Sequence, residues 1–261
     1  MVNQAEIEEE IIEALPVEDN LSAEDLLMLQ EMAELGMLYG LSKSKTHPRM
    51  KPFIHSTRSG TEIIDLEKTI SSLKAAGEFL KGIAASGKAI LFVGTTPASR
   101  KAIKEFAEKL NYPYVTKRWL GGTLTNFKVI SGRVEYFKKL VSDKESGQLS
   151  KYTKKEQLMI DRQIEKMKTI FSGIKNMKEL PGALLVVDPK EHSTALREAR
   201  GVGLPVAAIL NTNANPGQID YPIPANDRNQ KCVAWILNFL EPYLSVSGVS
   251  GSVPVSGSAE N

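Results

Sequence analysis

The sequence holds one cysteine, Cys232, and three histidines far apart in the chain, His47, His55 and His192. A lone thiol excludes an intrachain disulfide and a cysteine zinc cluster, and it suits a reducing cytosol. A zinc site built on the scattered imidazoles would need distant carboxylates, so no metal and no cofactor is expected. No run of 18 apolar residues occurs, so no membrane-spanning helix is expected. The start of the chain lacks the basic and apolar regions of a secretory signal. Catalytic signatures are also missing. There is no G-x-G-x-x-G after the first long apolar run, no G-x-x-x-x-G-K-[ST] and no G-x-S-x-G. Helix-turn-helix, zinc-finger and RRM signatures are absent as well.

Whole segments lack charge of one sign. Residues 1–35 carry eleven Asp/Glu and no Lys/Arg, and residues 36–60 carry five Lys/Arg and no acid. Residues 97–179 hold nineteen Lys/Arg against nine acids, yet the whole chain is only +2. Two separate basic segments beside an acidic arm call for a polyanionic partner. With no DNA-reading motif present, a folded RNA held by shape and backbone fits best.

What is present is the patterning of a sizeable core. The chain has 261 residues and is 42% hydrophobic, enough for one domain with an appendage. Ser22 and Asp25 resemble a capping box ahead of a helix that stops near Gly36. The basic stretch 36–60 reads as an irregular loop, because Pro48 and Pro52 break any helix. Phe53-Ile54 and Glu62 to Ile64 are short strand candidates. Asp65 is positioned to cap a helix over about 66–84. Continuous apolar runs at 89–93, 183–187 and 204–210 read as strands buried on both faces, separated by helical patterns at 98–110 and 191–200. This alternation predicts a parallel sheet covered on both sides. Asn226 or Asp227 is expected to cap the last helix, and Pro242 to end it.

The stretch Arg118-Trp-Leu-Gly-Gly-Thr-Leu-Thr-Asn-Phe127 organises the chain. The pair Lys117-Arg118 stands beside Trp119. Gly121-Gly122 permits a sharp turn. Thr123, Thr125 and Asn126 offer N-cap side chains for the helix that follows. From there Phe127, Ile130, Val134, Phe137 and Val141 repeat at heptad spacing. After a polar break at 142–150, Ile160, Ile164, Met167, Phe171 and Ile174 do the same. Two such helices predict an antiparallel hairpin zipped along its own seam, with Lys-rich outer faces. The corner is expected to hold Trp119 in the body and turn Lys117 and Arg118 to RNA.

A second reading has to be weighed, because parallel sheets bind ligands at their strand C-termini. A small-molecule or phosphate-binding protein, or an enzyme, would use the loops after Val93 and Val187, with Ser99-Arg100 or Asp188. Asp188 before Pro189 is more simply a cap or turn residue, and no nucleophile–base pair is evident.

At Arg118 to Phe127 the chain resembles small-subunit ribosomal protein number two, in its bacterial and organellar branch. Pro48 to Pro52, Ile63 to Thr69, Phe92 to Thr95, Leu184 to Pro189, Glu198 to Arg200 and Ile219 to Pro224 support this in the family's order, covering about residues 22–243. The resemblance implies a flavodoxin-like three-layer α/β/α sandwich with a parallel sheet and an inserted antiparallel coiled-coil α-hairpin. It implies a non-catalytic structural constituent of the small subunit in the cytoplasm, supporting translation. It also implies binding to 16S-type rRNA and neighbouring ribosomal proteins, and recruitment of the mRNA-capturing ribosomal protein number one. A paralogue adapted to another ribonucleoprotein is a weaker option. Candidate rRNA contacts are Lys43, Lys45, Arg49, Lys51, Arg58, Arg100, Lys117, Arg118, Lys128, Lys138, Lys139, Lys154 and Lys155. Trp119, Gly121, Gly122 and Asn126 form the structural corner. The expected units are an acidic extension at 1–21, a discontinuous body at 22–125 and 176–243, a hairpin at 126–175 and a Ser/Gly tail at 244–261. The family's G-x-H-F-G-H run is Gly36 to Leu41 here without either histidine, and its D-T-N is Asn211-Thr212-Asn213. Some members carry a metal near such positions, and these losses argue against one here.

Overall fold

The computed structural model describes residues 22–245. The readings of residues 1–21 and 246–261 lie outside this range. Ser22 opens helix α1 (Ala23–Glu34), its side chain accepting from Asp25 N.

The basic stretch 36–60 is more ordered than its composition suggested. Strands β1 (Tyr39–Ser42), β2 (Ile54–Arg58) and β3 (Thr61–Ile64) form an antiparallel sheet in the order β1-β3-β2. Ser59 and Gly60 turn between β2 and β3, both with positive φ. Pro48 and Pro52 do not exclude helical geometry. They lie in a 3-10 turn over Pro48–Phe53, and Pro48 stands in the first turn, where its missing N–H costs nothing. Interspersed cations and prolines hid the strand alternation.

Strands β4 (Ile90–Val93), β5 (Tyr114–Val115), β6 (Ala183–Val187), β7 (Val206–Leu210) and β8 (Tyr221–Pro224) build a parallel sheet ordered β5-β4-β6-β7-β8. By order of occurrence this is 2-1-3-4-5, the flavodoxin-like winding. Alternate side chains feed two cores. Ile90 and Phe92 join the core under α1, α2 (Leu66–Ala85), α3 (Pro97–Lys109) and α7 (Gln230–Ser245). Leu91 and Val93 join the core under α6 (Ser193–Gly201) and a helical hairpin, α4 (Phe127–Glu145) and α5 (Lys154–Phe171). The result is a three-layer α/β/α sandwich. Asp65 caps α2 by accepting from Lys68 N at 3.3 Å. Pro222 and Pro224 are tolerated because β8 pairs only with β7.

The hairpin is the β5-to-β6 crossover itself. Ile130, Val134, Phe137 and Leu140 of α4 and Ile164 and Phe171 of α5 are buried, with the Phe137 and Phe171 rings 6.4 Å apart. Leu140 takes the deeper place expected for Val141, which is half-buried. The break falls later than 142, because α4 runs to Glu145 and Gly147 turns in the left-handed region. A reciprocal capping box between Thr153 and Glu156 starts α5. At the exit, Tyr114 N donates to Gly173 O at 3.0 Å, and a Cβ on Gly173 would overlap the Tyr114 carbonyl oxygen.

Two expectations at the last helix need correction. Asn229, not Asn226 or Asp227, caps α7 by accepting from Lys231 N at 2.9 Å. Asn226 accepts from Arg228 N instead, and Asp227 is buried against Asn211. Pro242 does not end the helix, which continues to Ser245 with Leu244 buried, so 244 and 245 belong to the helix rather than to a tail.

Candidate nucleic-acid interface

The corner at 118–127 is built around a carboxylate from another helix. Glu198 of α6 is 8% exposed and aims both oxygens into the loop. Its Oε1 accepts from Trp119 Nε1 at 3.0 Å and Gly122 N at 2.8 Å. Its Oε2 accepts from Leu124 N at 3.0 Å and from Thr125 N and Oγ1 at 3.4 Å. Burial works against ionisation here. The bonds from Trp119, Leu124, Gly122 and Thr125 outweigh it and hold the carboxyl below its ordinary range. Gly122 has φ 89°, which few side chains tolerate. The expected N-caps do not act as such. Asn126 occupies the N-cap position without a side-chain bond, Thr123 donates to Leu120 O, and Thr125 donates to Glu198. Trp119 is half-buried against the core shared with the hairpin.

Glu198 was missed in the sequence except as part of a motif. A signal was present: it lies on the same helical face as the buried Ala195 and Ala199, where an acid needs donors. The Gly-Gly turn supplies a row of backbone N–H groups needing an acceptor.

The candidate cations fall in three groups. Lys43, Lys45, Arg49 and Lys51 are exposed and Arg58 half-exposed on the segment beside the C-terminal end of β7, where His47 N donates to Thr212 O at 2.8 Å. Lys117, Arg118 and Lys128 are exposed at the hairpin base. Lys138, Lys139, Lys154 and Lys155 are exposed along the hairpin. Among the described residues, ion pairs engage Lys68, Lys74 and Lys81 of α2, Lys101, Lys104 and Lys109 of α3, and Lys144 of α4. None of these is a candidate contact. Thus the lysines of α2 and α3 are neutralised by acids of the body, whereas the basic segment, corner and hairpin present theirs outward. Arg100 differs: its Nε donates to Thr116 O at 3.0 Å and Nη2 to Thr95 O at 2.8 Å, clasping the loops after β4 and β5.

The strand C-termini, where the ligand reading placed a site, are filled by the chain. Leu41 N donates to Thr212 Oγ1 at 3.0 Å, so residues 41–47 lie over the end of β7. Thr95 N donates to His192 Nε2 at 3.2 Å, which assigns the imidazole hydrogen to Nδ1, 2.9 Å from Asp188 O. Asp188 accepts from Glu191 N at φ 59°, a turn role. Asn211 Nδ2 donates to Asp227 Oδ1 at 3.1 Å. Burial first, and then the charge of Asp188, push the Asp227 carboxyl up to about 7. A metal does not fit these residues. Leu38 and Leu41 stand at the two histidine positions, and the Asn211 amide is turned as a donor to Asp227. Among the described residues, no group of three or more His, Cys, Asp or Glu side chains is arranged to hold an ion. No described helix is long and apolar enough to cross a membrane.

A family model described as "Ribosomal protein S2" matches residues 32–244. The "Small ribosomal subunit protein uS2" of Coprothermobacter proteolyticus is 43% identical over 202 residues, covering 77% of this chain and 75% of that one. Proteins of the same description from Roseiflexus sp. and Roseiflexus castenholzii are 42% and 43% identical over 205 residues, covering 78% of both chains in each case.

Proposed function

The chain belongs to the ribosomal protein S2 family, and from that premise we propose that it is a structural constituent of the small ribosomal subunit, without a catalytic role. The observation that carries this is the match over residues 32–244, which takes in the sheet, the corner and the whole hairpin. Its partners are rRNA and neighbouring small-subunit proteins, and its place is on the cytoplasmic ribosome.

In this reading Lys117, Arg118 and Lys128 meet phosphates at the hairpin base. Lys138, Lys139, Lys154 and Lys155 meet them along the arm, and Lys43, Lys45, Arg49, Lys51 and Arg58 beside the sheet. The exposure of Lys43, Lys45, Arg49, Lys51, Lys117, Arg118, Lys128, Lys138, Lys139, Lys154 and Lys155 supports this, because phosphate contact needs cations that face outward. Arg100 acts chiefly as a clasp between loops. Recruitment of the mRNA-capturing ribosomal protein number one belongs to this proposal and rests on the family resemblance. The small-molecule reading is disfavoured because the loops it needs, after Val93 and Val187, bind each other and themselves through Thr95 N to His192 and Glu191 N to Asp188.

Native cell extract separated on a sucrose gradient tests the reading. The chain should travel with small subunits and leave them at high salt. Recovery only in the soluble fraction overturns it.

A further inference from the structure

Gly132 has no reason within the fold to be glycine. It stands inside α4, where glycine is less favourable than alanine. A Cβ added there would meet nothing within 4 Å, so no packing in the chain requires its absence. By i−3 and i+4 spacing, Val129 and Tyr136 flank Gly132 along one helix face, away from the seam of Ile130, Val134 and Phe137. Val129 is 48% exposed and Tyr136 47%.

The surroundings of this face are cationic. Residues 128–139 carry Lys128, Arg133, Lys138 and Lys139 against one acid, Glu135, so the stretch is net positive. Arg133 precedes Tyr136 by three residues and Lys139 follows it by three, which places each about one turn from the ring. Among the described residues, no ion pair engages Lys128, Arg133 or Lys139. The result is a shallow notch floored by helix backbone, walled by an aliphatic and an aromatic side chain and edged with cations.

We propose that this notch seats one unpaired nucleotide of the small-subunit rRNA, its base stacked on Tyr136 and its sugar–phosphate backbone drawn against Gly132. The proposal rests on the ribosomal reading and adds a base-contacting residue to the phosphate contacts at the hairpin base. Charge selects a polyanion, and cations on both sides of the ring suit the two phosphates that flank a nucleotide. The phenol ring offers a π face to any base, and single-stranded nucleotides are the ones free to stack in this way. A side chain at 132 would hold the incoming backbone off the helix, and glycine is the residue that lets a second chain come close. Stacking tolerates every base, so the site reads where the rRNA is unpaired and not which base stands there.

Competition during assembly tests this. The full-length variant and an equal amount of isotope-labelled wild type are assembled with limiting small-subunit rRNA and the other subunit proteins, and mass spectrometry gives their ratio in the particles. Tyr136→Leu and Gly132→Ala should each fall about fivefold or more against wild type. Tyr136→Trp, which keeps a π face, should stay near equal. The free Gly132→Ala chain should melt above wild type, by about 1–4 °C, because alanine is the better helix former. A glycine that served the fold would give the opposite sign. A photo-activatable phenylalanine analogue in place of Tyr136 should form its adduct with an unpaired rRNA nucleotide. Equal incorporation of Tyr136→Leu or Gly132→Ala, a lower melting temperature for the free Gly132→Ala chain, an adduct with a protein, or no adduct in subunits that contain the chain overturns the proposal. Absence of the wild-type chain from subunits overturns the ribosomal reading instead.

Discussion

Replacing Glu198 by glutamine changes one atom and should loosen the whole corner. The carboxylate accepts from five donors, two on Oε1 and three on Oε2. Glutamine keeps one oxygen and turns the other into a donor. In either orientation the Trp119 and Gly122 pair or the Leu124 and Thr125 set then faces an N–H group. A buried donor left without an acceptor costs about 1–3 kcal/mol. Two such donors, with partial access to water at this half-buried loop, place the loss at about 3 kcal/mol. For a domain of this size that lowers the melting temperature by about 6–12 °C. Thermal unfolding followed by circular dichroism at pH 7 measures it. The pH profile provides a second reading. A carboxyl held below its ordinary 4.5 contributes stability that is complete above that value and lost as pH falls through the lower folded value. The wild type should therefore show an acid limb that Glu198→Gln flattens. A variant melting within 1 °C of wild type, with an unchanged acid limb, would refute the account of the corner.

Gly173→Ala places a methyl against the Tyr114 carbonyl oxygen, and the urea midpoint should fall by the equivalent of at least about 2 kcal/mol; an unmoved midpoint means the close approach is dispensable. Lys117→Ala with Arg118→Ala should reduce the slope of log affinity for rRNA against log salt by about 1.5, the share of two phosphate contacts. An unchanged slope would assign both residues to the fold. Asp227 has its folded pKa raised from 3.8 to about 7, so it favours the native state at low pH. That contribution fades as pH rises between these values, by about 4 kcal/mol in all. Asp227→Asn keeps an acceptor for Asn211 and removes the titration, so it should be the more stable protein at pH 8, and a less stable one there would contradict the assignment.

The legible parts of the sequence were those where one local rule decides. Ala183 to Val187 could hardly be anything but a buried strand, and Asp65 before an amphipathic run could hardly be anything but a cap. The heptads gave both faces of the hairpin, with Leu140 displacing Val141 because a straight helix drifts against a seven-residue repeat. Of the β1-β3-β2 sheet, Ile54 and Glu62 to Ile64 were visible as strand residues, whereas β1 and the length of β2 were not, because the strands are short, interleaved with cations and separated by prolines. Pro242 misled because a proline within two turns of a helix end sacrifices only one backbone bond, which the burial of Leu244 offsets. Of the proposed interface, the candidate cations were visible, but which of them the fold consumes was not. Arg100 looks like any exposed arginine until the carbonyls of Thr95 and Thr116 are brought to it from separate loops.

The crossover placement of the hairpin has a kinetic side. Before β6 can pair beside β4, the chain must close a loop from Val93 to Ala183. Closure entropy grows with the logarithm of loop length, about 0.6 kcal/mol for each doubling. Helices α4 and α5 form from neighbours in sequence and meet along contacts that need no sheet. Once zipped, they remove about half of the residues from that loop, which is worth about 0.6 kcal/mol and roughly a threefold faster search. The arm that reaches outward thus also draws together the two central strands it interrupts.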